Sequence, residues 1–266
     1  MIKSLIFSFD RAMQLGLLLE SIEKNAKNIF NINVLYKFSN DEFKKGYDIL
    51  IDKFKNVNWI KEEDFKQQVM SFLDNKYELC CFFTDDDIVY NNVYEKDIEK
   101  AMNNNDVFCF SLRLGENVTY CYTMNSPNLL KKEKEEDGVL CWNWTNHYLD
   151  FGYPLSIDGH IFRTKEIKKL VRVINFKSPS TMEGNLQVFD YYPKELMVAY
   201  KTSRLVSFPN NVVNKAHSNR KGEKHSYSAK ELNEKFLNKE KIDFESIDFK
   251  NIVGCHQELE LKFKKQ

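Results

Sequence analysis

Apolar positions along this chain alternate between the spacing of strands and the spacing of helices. Residues 4–9 form a short apolar run, and Leu15, Leu18, Leu19 and Ile22 follow at helical intervals. The unit then repeats. Residues 32–38 read as a second strand, and Phe43, Tyr47, Leu50, Ile51 and Phe54 stripe one face of a helix. A brief third strand at 57–60 precedes Phe65, Val69, Phe72 and Leu73, which mark another helix. Residues 79–90, LCCFFTDDDIVY, run five apolar residues into three carboxylates, as a strand buried on both faces would. A helix at 93–102 and a strand at 107–112 complete an alternation that predicts a mostly parallel sheet covered on both sides.

Beyond residue 112 the rhythm weakens. Residues 115–137 look irregular, and the charge run 131–137 suits a solvated loop. Asp158-Gly159 reads as a turn before an apolar-alternating segment that ends at Arg163. A helix is expected over 167–174, a helix start at 178–183 and a late strand at 205–208. Ser228 with Glu231 three residues later has capping-box spacing. The charged remainder, 238–266, is expected as a helical extension on the outside of the sheet.

Composition narrows the partners. The 266 residues are 42% hydrophobic, enough for one large domain, and 39 cationic side chains balance 39 anionic ones. Zero net charge provides no broad attraction to nucleic acid, so no nucleic-acid partner is expected. Asp10 and Arg11 interrupt the apolar start before it can serve as a secretion signal, and no run of 18 apolar residues predicts a membrane span. The six cysteines show no CxxC pair, which favours free thiols and a cytoplasmic protein.

Candidate chemistry gathers where strands end. Ligands of open α/β sheets sit beyond the carboxyl ends of the strands, which places Ser8, Asp10, Arg11, Ser39 and the aspartates on one rim. Residues two apart on a strand share a face, so Asp85 and Asp87 are expected to converge while Asp86 turns aside. Converging carboxylates suit Mg²⁺ or Mn²⁺ and a phosphorylated substrate; the alternative is a solvated acidic turn. Arg11 suits a phosphate or a base, or an exposed helix start. Trp142, Trp144, His147 and Tyr148 suit stacking on a sugar or a base, or else plain core. Residues 215–227 hold His217, Arg220, Lys221, Gly222, Lys224 and His225, which suit closure over a diphosphate or an ordinary surface loop. Glu183 reads as a helix-capping carboxylate or, in a cleft, as a base.

Taken in order, FSFDR before an apolar helix, FFTDDD at a strand end, IDGHIFR, SPSTMEG and FPNNVVN resemble a bacterial glycosyltransferase of the GT-A type, family 2-like, over residues 4–237. The resemblance implies the GT-A α/β fold, with residues 1–112 as the nucleotide-binding half, 113–237 as the acceptor half and closing loop, and 238–266 as an extension. It implies a UDP- or GDP-sugar donor, a saccharide or glycolipid acceptor, and Mn²⁺ or Mg²⁺ bound mainly through Asp87. Asp85 and either His225 or His217 would complete that metal site, His225 being preferred. Ser8, Asp10, Arg11, Ser39, Asp85, Asp86, Arg220 and Lys221 would bind the nucleotide and its phosphates. Glu183 falls where inverting members carry their base, although Met182 stands where an acidic partner is usual, and Asp158 is the second candidate. A role in bacterial surface polysaccharide synthesis at the inner face of the membrane, by peripheral association, is the expectation. The competing classes are a metal-dependent phosphohydrolase and a non-catalytic nucleotide-sugar binding protein.

Overall fold

The computed structural model describes residues 1–74, 76–189, 192–211, 220 and 222–266. Its first half runs β1 (Ile2–Phe9), α1 (Ala12–Asn25), β2 (Phe30–Lys37), α2 (Asp41–Lys53), β3 (Asn58–Lys61), α3 (Phe65–Phe72), β4 (Leu79–Thr84), β5 (Asp87–Val89), α4 (Glu95–Met102) and β6 (Val107–Ser111). The second half adds β7 (Tyr120–Cys121), β8 (Ser126–Pro127), β9 (Lys134–Glu136), β10 (Val139–Asn143), β11 (His160–Arg163), α5 (Thr164–Val173) and α6 (Pro179–Leu186). β12 (Leu196–Tyr200), β13 (Leu205–Ser207), α7 (Ala229–Leu237), β14 (Glu240–Ile242) and β15 (Phe263–Lys265) follow.

Nine of these strands form one sheet in the order β3-β2-β1-β4-β11-β6-β12-β10-β9. β10 and β11 oppose the other seven, so the mostly parallel α/β sheet expected from the alternation is what forms. One face is covered by α1, α2, α4 and α7, with Leu15, Leu18, Tyr47, Ile98 and Leu232 in its core. The other is covered by α3, α5 and α6, with Val69, Val171 and Met182. Most of the circumference of α1 is buried because α2, α7, β5 and β14 surround it, which explains its nearly continuous apolar sequence. Side chains fix the starts of several helices. Asn40 caps α2, Asp64 caps α3, and Ser228 accepts the Glu231 N–H at the start of α7.

Three expectations about local structure change. The charge run 131–137, expected as a solvated loop, contributes Lys134–Glu136 as β9, the fully exposed edge strand paired with β10. The aspartate strand is not continuous. It breaks into a turn at Asp85-Asp86, because the Asp87 carboxylate folds back to accept the Thr84 N–H, and β5 then leaves the main sheet to pair with β13. The segment 238–266 contains no α-helix either. It forms the β14–β15 pair, two 3₁₀ turns at Phe244–Ser246 and Phe249–Asn251, and an extended stretch. Ile242, Ile247 and Ile252 fall five residues apart, which no single helical face can present, yet all three are buried in the core with Leu259 and Leu261. The six cysteines are free, five of them buried and Cys141 half-buried. Among the described residues no helix is long and apolar enough to cross a membrane.

Candidate active site

The carboxyl ends of β1, β2, β4 and β6, and the start of the opposed strand β11, border a cavity of about 1130 Å³. Ser8, Asp10, Arg11, Asp85, Asp86, Asp158 and Glu183 all line it, as do Arg113 and His256. At its floor the Asp85 carboxylate accepts from Ser8 Oγ at 2.9 Å, from the Phe9 N–H at 3.1 Å and from Arg11 Nη1 at 2.9 Å. Arg11 Nη1 also lies 3.1 Å from Asp86 Oδ2, so a guanidinium links these two neighbours. The Asp85 carboxyl is pushed up to about 6 by burial, against the pull of Arg11. Asp10 adopts φ +57° and binds the Ser39 N–H at 2.8 Å, closing the rim between β1 and β2. Ser39 itself is not part of the cavity lining.

Asp87 is sealed away from the cavity. It is 0% exposed and accepts from Ser207 Oγ and from the Thr84 N–H. Burial, with Asp158 and Asp86 nearby, raises its carboxyl well above the usual range, so it favours the protonated form. The expected convergence of Asp85 and Asp87 on a cation does not occur, because the turn between them sends one to Arg11 and the other to Ser207. Asp86, with 17% of its side chain exposed, is the member of the triplet that faces the cavity most openly.

A second network adjoins the first through Thr84. Gly159, at φ +70°, donates to the Phe82 carbonyl and accepts from the Leu112 N–H, and a Cβ there would meet Leu205 at 2.9 Å. This turn sets Asp158 between Thr84 Oγ1 at 3.1 Å, Arg113 Nη1 at 3.3 Å and His256 Nε2 at 3.4 Å. Burial opposes ionisation of Asp158, but the bond to His256 and the charge of Arg113 outweigh it and hold the carboxyl below its ordinary value. Arg113 also holds Ser156 at 2.6 Å and Asp150 at 2.9 Å, and Asn128 supports Asp150. Glu183 is not a cap. Ser178 and Thr181 form the reciprocal capping box of α6, which leaves Glu183 to accept the Ile157 N–H at 3.2 Å from the cavity wall. Its carboxyl is pushed up to about 7 by burial and by the negative charge of Asp158.

Other candidates separate. Trp142 and Trp144 are core, with their indole N–H groups bound to the Phe151 and Lys194 carbonyls. His147 lines the cavity but both ring nitrogens are engaged, by the Lys131 N–H and the Asn143 carbonyl. Arg220 reaches the cavity stacked 4.6 Å above Tyr122 and paired to Glu223 at 2.7 Å. His225 does not line it; its N–H binds Glu258, which also holds the N–H groups of Glu223 and Lys224. His217 and Lys221 lie outside the described residues. Among those described, no group of three His, Cys, Asp or Glu side chains forms a metal-holding cluster.

Arg113 and His256 were not among the sequence candidates. Arg113 sits just past the end of β6, where the strand-end rule that selected Arg11 would have found it. His256 had no local signal. It arrives through a bridge to Ser207 made by the extended tail.

The chain is similar in sequence to the bifunctional glycosyltransferase pgtA of Dictyostelium discoideum, with 31% identity over 193 residues. That match covers 65% of this chain and 25% of the relative, so the chain spans about a quarter of the length of the protein it matches. No protein-family model matches it. Among solved structures, Staphylococcus aureus TarS aligns with 78% of this chain and 36% of its own, at a TM-score of 0.49 and 14% identity. The mannosyltransferase PcManGT from Pyrobaculum calidifontis, in complex with GDP-Man and Mn²⁺, aligns with 76% of this chain and 54% of its own, at 0.41 and 9%. The ordered motifs that resemble a GT-A type glycosyltransferase thus lie in a chain that is also similar to a curated glycosyltransferase.

Proposed function

We propose that this chain transfers a sugar from a nucleotide-sugar donor to a saccharide acceptor by direct, inverting displacement, with Glu183 as the base. One observation carries the reading: Glu183 stands in the wall of the cavity bordered by the Arg11 and aspartate rim, with its carboxyl poised at about 7. In the reaction the acceptor oxygen bonds to the anomeric carbon as the bond from that carbon to the phosphate oxygen breaks. The electron pair leaves with the nucleoside diphosphate, and the acceptor proton passes to the Glu183 carboxylate. Ser8, Asp10, Arg11 and Asp85 bind the nucleotide, and Arg220 with His256 stabilises the departing diphosphate. Asp158, held ionised by its neighbours, orients His256 and Arg113 rather than taking the proton. Participation in bacterial surface polysaccharide synthesis is the wider role this activity fits.

A divalent cation suits the oxygen donor Asp86 better than Asp87, since Asp87 is sealed from the cavity that Asp86 lines, and there the cation would share the carboxylate with Arg11. Mg²⁺ commonly uses one or two carboxylates plus substrate phosphates, so no three-ligand protein cage is required. When bound, it would supply Lewis-acid stabilisation of the leaving diphosphate.

Thermal-shift titration tests the donor. A UDP- or GDP-sugar present at 100 times its Kd stabilises a folded protein by about 2.7 kcal/mol, and hence should raise Tm by ~5–10 °C for a chain of this size. Part of the rise should require Mn²⁺ and should vanish in Asp86→Asn. If neither nucleotide sugar shifts Tm with or without Mn²⁺, the donor reading is wrong. If Asp86→Asn keeps the whole Mn²⁺ increment, the cation lies elsewhere.

A further inference from the structure

The cavity mouth contains a feature that donor binding does not use. Tyr148 lines the cavity yet is 87% exposed, and Met124, also in the lining, is 64% exposed. Exposed large side chains are ordinarily scattered, but these two line the same cavity. The backbone that carries Tyr148 is tightly specified. Leu149 follows at φ +56°, and Gly152 approaches so closely that a Cβ there would meet the His147 carbonyl oxygen at 2.3 Å. His147, fixed at both ring nitrogens, anchors the other side of the turn. The fold therefore places an exposed aromatic ring on a tightly turned backbone, in the lining of the same cavity as Tyr153 and Glu183.

Charge limits what can rest there. The cavity is lined by four Lys or Arg side chains among the described residues, Arg11, Lys37, Arg113 and Arg220, and each is paired to a carboxylate. Glu183, Asp158 and Asp150 border the region of Tyr153 together with Arg113, whose charge is already paired to the two aspartates. An anionic ligand would meet carboxylates there and no unpaired cation among the described residues. A neutral pyranoside meets neither penalty, because its C–H face can lie on a phenol ring while its hydroxyls reach carboxylates. The volume of about 1130 Å³ exceeds the roughly 300–1,000 Å³ usual for one small ligand, which leaves room for a second.

We propose that the mouth of the cavity is the acceptor subsite, that Tyr148 is its stacking platform, and that the acceptor residue it takes is a neutral pyranose. The assignment rests on the sugar-transfer reading and deepens it: the ring on Tyr148 is the one whose hydroxyl meets Glu183.

Saturation-transfer NMR tests it with methyl β-D-glucopyranoside, methyl β-D-galactopyranoside, the methyl glycoside of N-acetylglucosamine and methyl β-D-glucuronide. At least one neutral glycoside should receive saturation from the parent protein, and the glucuronide should not. Tyr148→Ala should reduce the neutral signal ~5-fold, the order expected for one lost aromatic face, while Tyr148→Phe keeps it. Because the side chain is exposed, both variants should fold. Silence from all neutral glycosides, preference for the glucuronide, or an undiminished signal in Tyr148→Ala would overturn the subsite. The nucleotide-sugar Tm shift should be the same in Tyr148→Ala as in the parent; a loss would move Tyr148 to the donor side and also overturn the assignment. Failure of every nucleotide sugar to bind the parent would instead defeat the transferase reading, while the glycoside signals still decide the Tyr148 site.

Discussion

Glu183→Gln should lower sugar transfer by about 10²–10⁴-fold, the usual effect of losing a general base, while the affinity for the nucleotide sugar stays near that of the parent. The parent rate should rise with pH through about 7, as the raised Glu183 carboxyl ionises, and the variant should lack that limb. Stability gives an independent sign. The folded carboxyl titrates near 7 and the unfolded one near the ordinary glutamate value of about 4.3, so between these pH values the folded state binds more protons. This group's contribution is therefore most favourable at low pH and declines as pH rises to 7. The Tm of Glu183→Gln relative to the parent should increase from pH 5 to pH 8. Transfer at the parental rate in Glu183→Gln, with Asp158→Asn inactive, would shift the base to Asp158; two active variants would end the inverting mechanism.

Arg113→Met is expected to cost the largest amount of stability, about 3–5 kcal/mol, because it strands two buried carboxylates. Arg113 keeps 4% of its side chain exposed, and its partners Asp150 and Asp158 keep 9% and 10%. Breaking a pair at such depth leaves uncompensated charge, whereas the many surface pairs of this chain, such as Lys44 with Asp48, contribute little. Urea denaturation measures the difference. A loss under about 1 kcal/mol would mean that the network is solvated and that the buried-pair account is wrong. In whatever fraction folds, the Glu183 limb should move to higher pH, since the Arg113 charge favours the ionised form of Glu183.

The first half of the fold was readable because each β/α unit announces itself locally. Residues 4–9, 32–38 and 57–60 fall within a residue or two of β1, β2 and β3, and the apolar spacing of Leu15, Leu18, Leu19 and Ile22 marks α1. In the second half the strands pair out of sequence order, and β12 and β10 went unrecognised although LMVAY at 196–200 is a plain apolar run. The tail misled for a different reason. Its apolar residues are too widely spaced for a helix face, but an extended chain can deliver each one to the core separately.

By itself the sequence determined the alternating α/β architecture, the rim on which Ser8, Asp10, Arg11, Asp85 and Asp86 meet, and the turn that presents Asp158. These are consequences of periodicity and of strand ends, which are local properties of the chain. Only the tertiary structure decided which aspartate faces the cavity, because period-two reasoning ends where hydrogen bonding to Thr84 turns the backbone at Asp85-Asp86. It alone decided that Glu183 is a wall residue with a raised carboxyl rather than a cap, since Thr181 takes the capping position and burial beside Asp158 sets the charge cost. Likewise Arg113 and His256 become partners of Asp158 only because β6 and the C-terminal tail, 143 residues apart in these two positions, converge across the fold. Burial, pairing and shared charge are properties of that convergence, and no single segment of the chain carries them.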